Sequence, residues 1–118
     1  MLKDGAECLL EYKEDVLYAT LVGEIDHHSA QPLREAIDRE MVKYRPKVLC
    51  IDLGRVGFMD SSGLGLILGR SAMAQELGAC VRLCRVDERT MKILNMAGVE
   101  RVVGITIEGV NKKGGKKK

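Results

Sequence analysis

With 118 residues and 13.0 kDa, of which 46% are hydrophobic and 31% charged, the chain has the length of one domain and the balance of an ordinary soluble globular protein. The formal charge of +2 hides an asymmetry: Lys112, Lys113, Lys116, Lys117 and Lys118 crowd the last eight positions, leaving 14 basic against 17 acidic groups elsewhere, a body of net −3. A basic tail without a basic patch on the fold, with Trp 0 and Phe 1, argues against direct nucleic-acid binding, and no apolar run approaches the roughly 20 residues of a membrane span.

Met1 to Gly5 carries no apolar signal region, so the protein is expected in the cytoplasm, away from the membrane. Cys8 to Lys13 reads as a first strand and Val16 to Val22 as a second, joined at Glu14-Asp15 into a hairpin that ends at Gly23. Glu24 to His28 reads as a polar loop, Ser29 as the cap of the next helix, and Pro32 as part of its first turn, where a missing N–H does little harm. From Ala30 to Tyr44, Leu33, Ala36, Ile37, Met41 and Tyr44 recur at helical spacing, with Arg34, Glu35, Asp38, Arg39 and Lys43 on the other side.

Val48 to Leu53 is apolar enough to predict a strand covered on both faces, as parallel strands are. It runs through Gly54 and Gly57 into Asp60-Ser61-Ser62-Gly63, and a helix-like run from Leu64 to Leu77 comes next, with Gly78 as its C-terminal cap. Ala79 to Cys84 reads as another strand, Asp87 caps a helix from Glu88 to Ala97 closed by Gly98, and Arg101 to Ile107 is the last strand. The order β-β-α-β-α-β-α-β predicts a single α/β domain over residues 1–108, its mostly parallel sheet opened by an antiparallel hairpin, and then a disordered Gly- and Lys-rich tail at 109–118. Cys8, Cys50, Cys80 and Cys84 form no C-x-x-C pair, and are expected as reduced core thiols with no metal site.

The Asp60-Ser61-Ser62-Gly63 turn carries the functional signal. A short side-chain oxygen there can accept from the unpaired N–H groups of a first helical turn, so the simplest reading is a capped helix. Two features go further. Leu64 to Gly69 is apolar or small in every direction, whereas a surface helix should keep a polar face. Gly65 and Gly69 also share a face, each costing about 1 kcal/mol relative to Ala, which suits close approach of the chain's own sheet or of a partner.

Catalysis is the weaker reading. The G-x-S-x-G elbow is absent around Ser61 and Ser62, and the adjacent His27 and His28 lie in an acidic loop without a third group for a triad. Gly63, Gly65 and Gly69 miss the dinucleotide spacing by one residue, although a small nucleotide-binding domain stays open as an alternative. A phosphoryl group on Ser61 would add about −1.5 to −2 charge at a helix N-terminus, where the dipole tolerates it, beside Asp60 and at the edge of an apolar surface. The fold should survive that charge and a partner packed over Gly65 and Leu66 should not.

Gly23-Glu24-Ile25-Asp26-His27-His28 together with Phe58-Met59-Asp60-Ser61-Ser62-Gly63-Leu64-Gly65 and Ile67-Leu68-Gly69-Arg70 closely resembles the anti-sigma-factor antagonists of the STAS domain family, most of all the sporulation type. The resemblance covers about residues 8 to 107. It implies a non-enzymatic protein without cofactor, monomeric when free, whose unphosphorylated form binds an anti-sigma factor that is also a serine kinase and so releases a sigma factor. It implies Ser61 as the phosphoacceptor, and a metal-dependent serine phosphatase that restores the active form. By position, Asp26, Asp60, Ser62, Gly65 and Arg70 are the expected partner-binding residues. The chain departs from the family at its end, where a further helix is often found. A STAS-type accessory module of a stress-signalling assembly or of a transporter is the alternative.

Overall fold

The computed structural model describes residues 5–109, arranged as a five-stranded sheet in the order β1-β2-β3-β4-β5. The strands are β1 (Ala6–Lys13), β2 (Val16–Ile25), β3 (Val48–Met59), β4 (Cys80–Val86) and β5 (Ile105–Gly109), and the helices are α1 (His27–Tyr44), α2 (Ser61–Glu76) and α3 (Glu88–Met96). Only β1 and β2 pair antiparallel; β2 to β5 run parallel. Element order and topology therefore agree with the sequence pattern. Gly109 closes β5, and the remainder of the expected tail lies outside the described residues.

The hairpin turns on Glu14 and Asp15, both at positive φ, which gives a two-residue loop the twist its strands require. Asp15 then anchors the start of β3, its carbonyl accepting from Lys47 N at 2.8 Å. Leu17, Ala19 and Leu21 of β2, Leu49, Ile51 and Leu53 of β3, and Val81 and Leu83 of β4 point to one face, where they meet Leu33, Ile37 and Met41 of α1, Ile67 and Ala74 of α2, and Leu94 of α3 in a single core. On the opposite face Tyr18, Thr20, Asp52, Arg82 and Cys84 are only partly covered or exposed, while Cys50, paired between Tyr18 and Arg82, is buried. The expectation that β3 is covered on both faces is thus corrected, since every helix that contributes to the core packs on one side.

The thiol reading needs a similar correction. All four cysteines are free, but Cys50 alone is buried, while Cys80 on the same face is exposed. Burial pushes the Cys8 thiol up to about 12, with Glu7 adding to the shift. Among the described residues no group of His, Cys, Asp or Glu is placed to hold a metal, and no helix is long and apolar enough to cross a membrane.

The strands that carry the candidate site run longer than their local sequence suggests. β2 continues through Gly23 and Glu24 to Ile25, and β3 through Gly54 and Gly57 to Met59, because each finds partners on its neighbour: Gly23 opposite Val56, Glu24 opposite Phe58 and Ile25 opposite Met59. Gly23 sits at φ +106 with the space a Cβ would need taken by the Gly5 carbonyl, so only glycine fits there. The register shifts twice, between Thr20 and Val22 and between Gly23 and Glu24, and such bulges bend a strand and re-aim the chain beyond them. The region expected as a loop, Glu24 to His28, is therefore a strand end at Glu24 and Ile25 followed through Asp26 by the first residues of α1, and it delivers α1 and α2 side by side.

Candidate functional site

Asp26 and Asp60 occupy equivalent places, each directly after a strand and directly before a helix. Asp60 N donates to Ile25 O at 3.2 Å, which holds the two strand-to-helix turns together and unites the two sequence motifs. Asp26, not Ser29, caps α1. Its carboxylate accepts from His28 N at 2.9 Å and Ser29 N at 3.0 Å, and the Ser29 hydroxyl accepts from Asp26 N at 3.0 Å, completing a capping box. Pro32 consequently lies deeper in α1 than its expected first-turn position.

These hydrogen bonds, led by that from Ser29 N, hold the Asp26 carboxyl below its ordinary value of 3.8. The charged form is thereby favoured in the fold, so the stability Asp26 contributes is present above that ordinary value and lost as pH falls through the lower folded one. Unfolding midpoints in denaturant at about pH 5 and about pH 3 check this: wild type should lose more stability over that interval than Asp26→Asn.

At α2 the cap is Asp60, whose Oδ1 accepts from Ser62 N at 2.8 Å. The helix is capped, as the simplest reading of the turn has it, but by the aspartate, which leaves the serine hydroxyls free of capping. Ser61 is the first residue of the helix and is exposed, with no side-chain hydrogen bond among the described residues. Gly65, Leu68 and Ala72 continue the exposed stripe that begins at Ser61, so one face of the helix presents three turns without a charge.

Of the two occupants that the glycine stripe suits, the chain's own sheet is now eliminated. A Cβ on Gly65 or Gly69 would meet nothing within 4 Å, whereas one on Gly63 would clash with the Met59 side chain. Gly63 is the glycine the core requires; Gly65 and Gly69 face outward. Gly63→Ala should cost about 1–3 kcal/mol by overpacking against Met59, and Gly65→Ala should stabilise by about 0.5–1 kcal/mol through helix propensity. Thermal melts of the two variants check the opposite signs.

Arg70 departs from the expected interface. Its side chain is 8% exposed and lies against α1, with Nε 2.8 Å from Asp38 Oδ1. The contact is close but poorly aligned, leaving Asp38 Oδ1 and Arg70 Nε and Nη1 without a well-directed hydrogen bond. It is an ion pair that ties α2 to α1, and Arg70 offers little exposed surface to a docking partner. Burial lowers the Arg70 pKa, Asp38 opposes that shift, and Arg34 adds to it by repulsion.

Between the two helix starts lies an open groove of about 310 Å³, lined by His27, Gln31 and Arg34 of α1 and by Ser62, Gly65 and Leu66 of α2. Ser62 and Gly65 were singled out by sequence; His27, Gln31 and Arg34 were not assigned to the site. Their spacing of four and three residues places them on one helical face, which is the signal that could have found them.

The STAS domain family matches residues 8–111. An anti-sigma F factor antagonist of Paenibacillus polymyxa is 32% identical over 102 residues, covering 86% of this chain and 87% of that protein. The crystal structure of an anti-sigma factor antagonist from Mycobacterium paratuberculosis superposes with a TM-score of 0.73 at 27% identity, covering 88% of this chain and 87% of that one. SpoIIAA shares the fold at 23% identity in both its unphosphorylated form, with a TM-score of 0.68 and coverage of 86% and 87%, and its phosphorylated Bacillus form, with 0.62 and coverage of 86% and 90%. With a match over nearly the whole described fold and its order of elements, the chain belongs to the STAS domain family.

Proposed function

We propose that this protein is an anti-sigma-factor antagonist, a regulatory binding protein and not an enzyme, switched by phosphorylation at Ser61. In its unphosphorylated form it binds an anti-sigma factor that is also a serine kinase, and so releases a sigma factor. Phosphorylation by that kinase ends the contact, and a metal-dependent serine phosphatase restores it. The observation that carries this reading is the position of Ser61: an exposed, uncapped hydroxyl at the head of an uncharged, glycine-notched helix face.

The physical mechanism is exclusion. A phosphoserine at the first position of α2 meets a favourable helix dipole, so the domain tolerates it. A partner seated over Gly65 and Leu68 would have to desolvate that dianion, a cost beyond what a modest interface supplies. Asp26, Asp60 and Ser62 belong to the docking surface by their place beside Ser61, with both carboxylates acting chiefly as caps. The test is to incubate the protein with an anti-sigma kinase of the sporulation type and Mg-ATP and to map the product by mass spectrometry. A single phosphate at Ser61 supports the reading; modification elsewhere, or none with a kinase that binds the protein, contradicts it.

A further inference from the structure

The groove between α1 and α2 has a charge balance that the switch itself does not use. Arg34 is the one permanently charged side chain in its lining, no carboxylate lines it, and Arg34 forms no ion pair or hydrogen bond among the described residues. The carboxylate one turn further along α1, Asp38, is taken by Arg70 at 2.8 Å, and Glu35 accepts from Gln31 Nε2 at 3.2 Å. Asp38 is thus committed to Arg70, while Arg34 has no ion-pair partner among the described residues and lies close enough to lower the Arg70 pKa by repulsion. The groove lining itself holds one cation in excess, and that cation faces open space.

We infer that the groove receives a carboxylate side chain of the anti-sigma factor, which pairs with Arg34; this rests on the docking function proposed above. A planar guanidinium matches a carboxylate with two parallel hydrogen bonds. While Arg34 is exposed such a pair is worth little, but a partner covering the uncharged face of α2 removes water from it and strengthens the attraction. Gly65 forms part of the groove wall, and with no side chain there the partner's backbone comes close enough to deliver a short acidic side chain. The same excess charge gives the complex a salt dependence that an apolar stripe alone would not have.

The test measures the dissociation constant of the full chain with its anti-sigma factor for wild type, Arg34→Lys, Arg34→Ala, Arg34→Glu and Ser61→Asp, each confirmed folded by thermal melting. Arg34→Ala should weaken binding by about tenfold or more, Arg34→Lys less and Arg34→Glu most. One Asp→Arg or Glu→Arg reversal on the anti-sigma factor should then restore Arg34→Glu while weakening wild type. Equal binding by wild type and Arg34→Glu, or restoration by no acidic position, overturns the inference, and with Ser61→Asp still losing the partner the switch reading stands alone. A wild type that does not bind, or a Ser61→Asp that binds as wild type does, overturns the switch reading, and the groove inference falls with it. Tighter binding of inorganic phosphate than of the anti-sigma factor, lost in Arg34→Ala, would likewise overturn it in favour of a small-anion site.

Discussion

Ser61→Asp should fold as wild type does and lose its partner. The side chain stands exposed at the first position of α2, where an acid interacts favourably with the helix dipole, so the melting temperature should be unchanged or slightly raised. Binding is another matter. Orphaning a charge within an interface costs about 2–5 kcal/mol, which at about 1.4 kcal/mol per factor of ten corresponds to weakening by about 30-fold to 4,000-fold. Ser61→Ala removes only a hydroxyl that is not used for capping, and should bind as tightly as wild type while resisting inactivation by the kinase. Calorimetric titration of both variants separates the outcomes. Equal affinities for the two would show that charge at this position is not what excludes the partner.

Asp38→Ala should be the most damaging single change outside the apolar core. Arg70 is buried against α1, and Asp38 is its one ion-pair partner among the described residues. Removing the carboxylate leaves a desolvated guanidinium uncompensated. Because the Asp38 side chain keeps 32% of its exposure, the low end of the range for orphaning a buried charge applies, about 3 kcal/mol. For a domain of this size that lowers the melting temperature by about 12 °C. The double replacement Asp38→Leu with Arg70→Met should recover most of the loss, since no charge then remains to be paired. A single variant that melts with wild type would mean the pair does not fix α1 against α2.

The architecture was legible where local chemistry decides it. Asp87 accepts from Thr90 N at 2.8 Å and opens α3 where expected, and the Glu14-Asp15 turn joins β1 to β2. The parallel order came from apolar strands alternating with amphipathic helices. The parts that could not be read were set by pairing across the sheet. Gly23 and Glu24, or Gly54 and Gly57, break a strand when judged alone, yet each extension is imposed by a neighbouring strand. The last strand begins at Ile105, because the turn from Gly98 through Gly104, both at positive φ, uses residues that by propensity belong to a strand.

The site divides in the same way. Ser61 and Gly65 are four residues apart and share the outward face. Arg70 lies nine residues from Ser61, about 900° of helical rotation, which turns it to the opposite side. Its inward position was therefore available from spacing, and only its resemblance-based role obscured this. Arg34 was harder to find. It reads as one more charge on the polar side of an amphipathic helix until the bulged strand ends set α1 beside α2 and place it in the wall of an open groove.

A phosphate on Ser61 should leave the domain intact and remove its docking partner, and the proposed switch depends on both halves of that statement. The direct measurement is a calorimetric titration of the anti-sigma factor with this protein before and after stoichiometric phosphorylation, with amide spectra recorded on both forms. Binding by the unmodified protein alone, with spectral changes confined to the first turns of α1 and α2, is the predicted result. Equal affinity of the two forms, or a phosphorylated protein whose whole spectrum shifts, would contradict it.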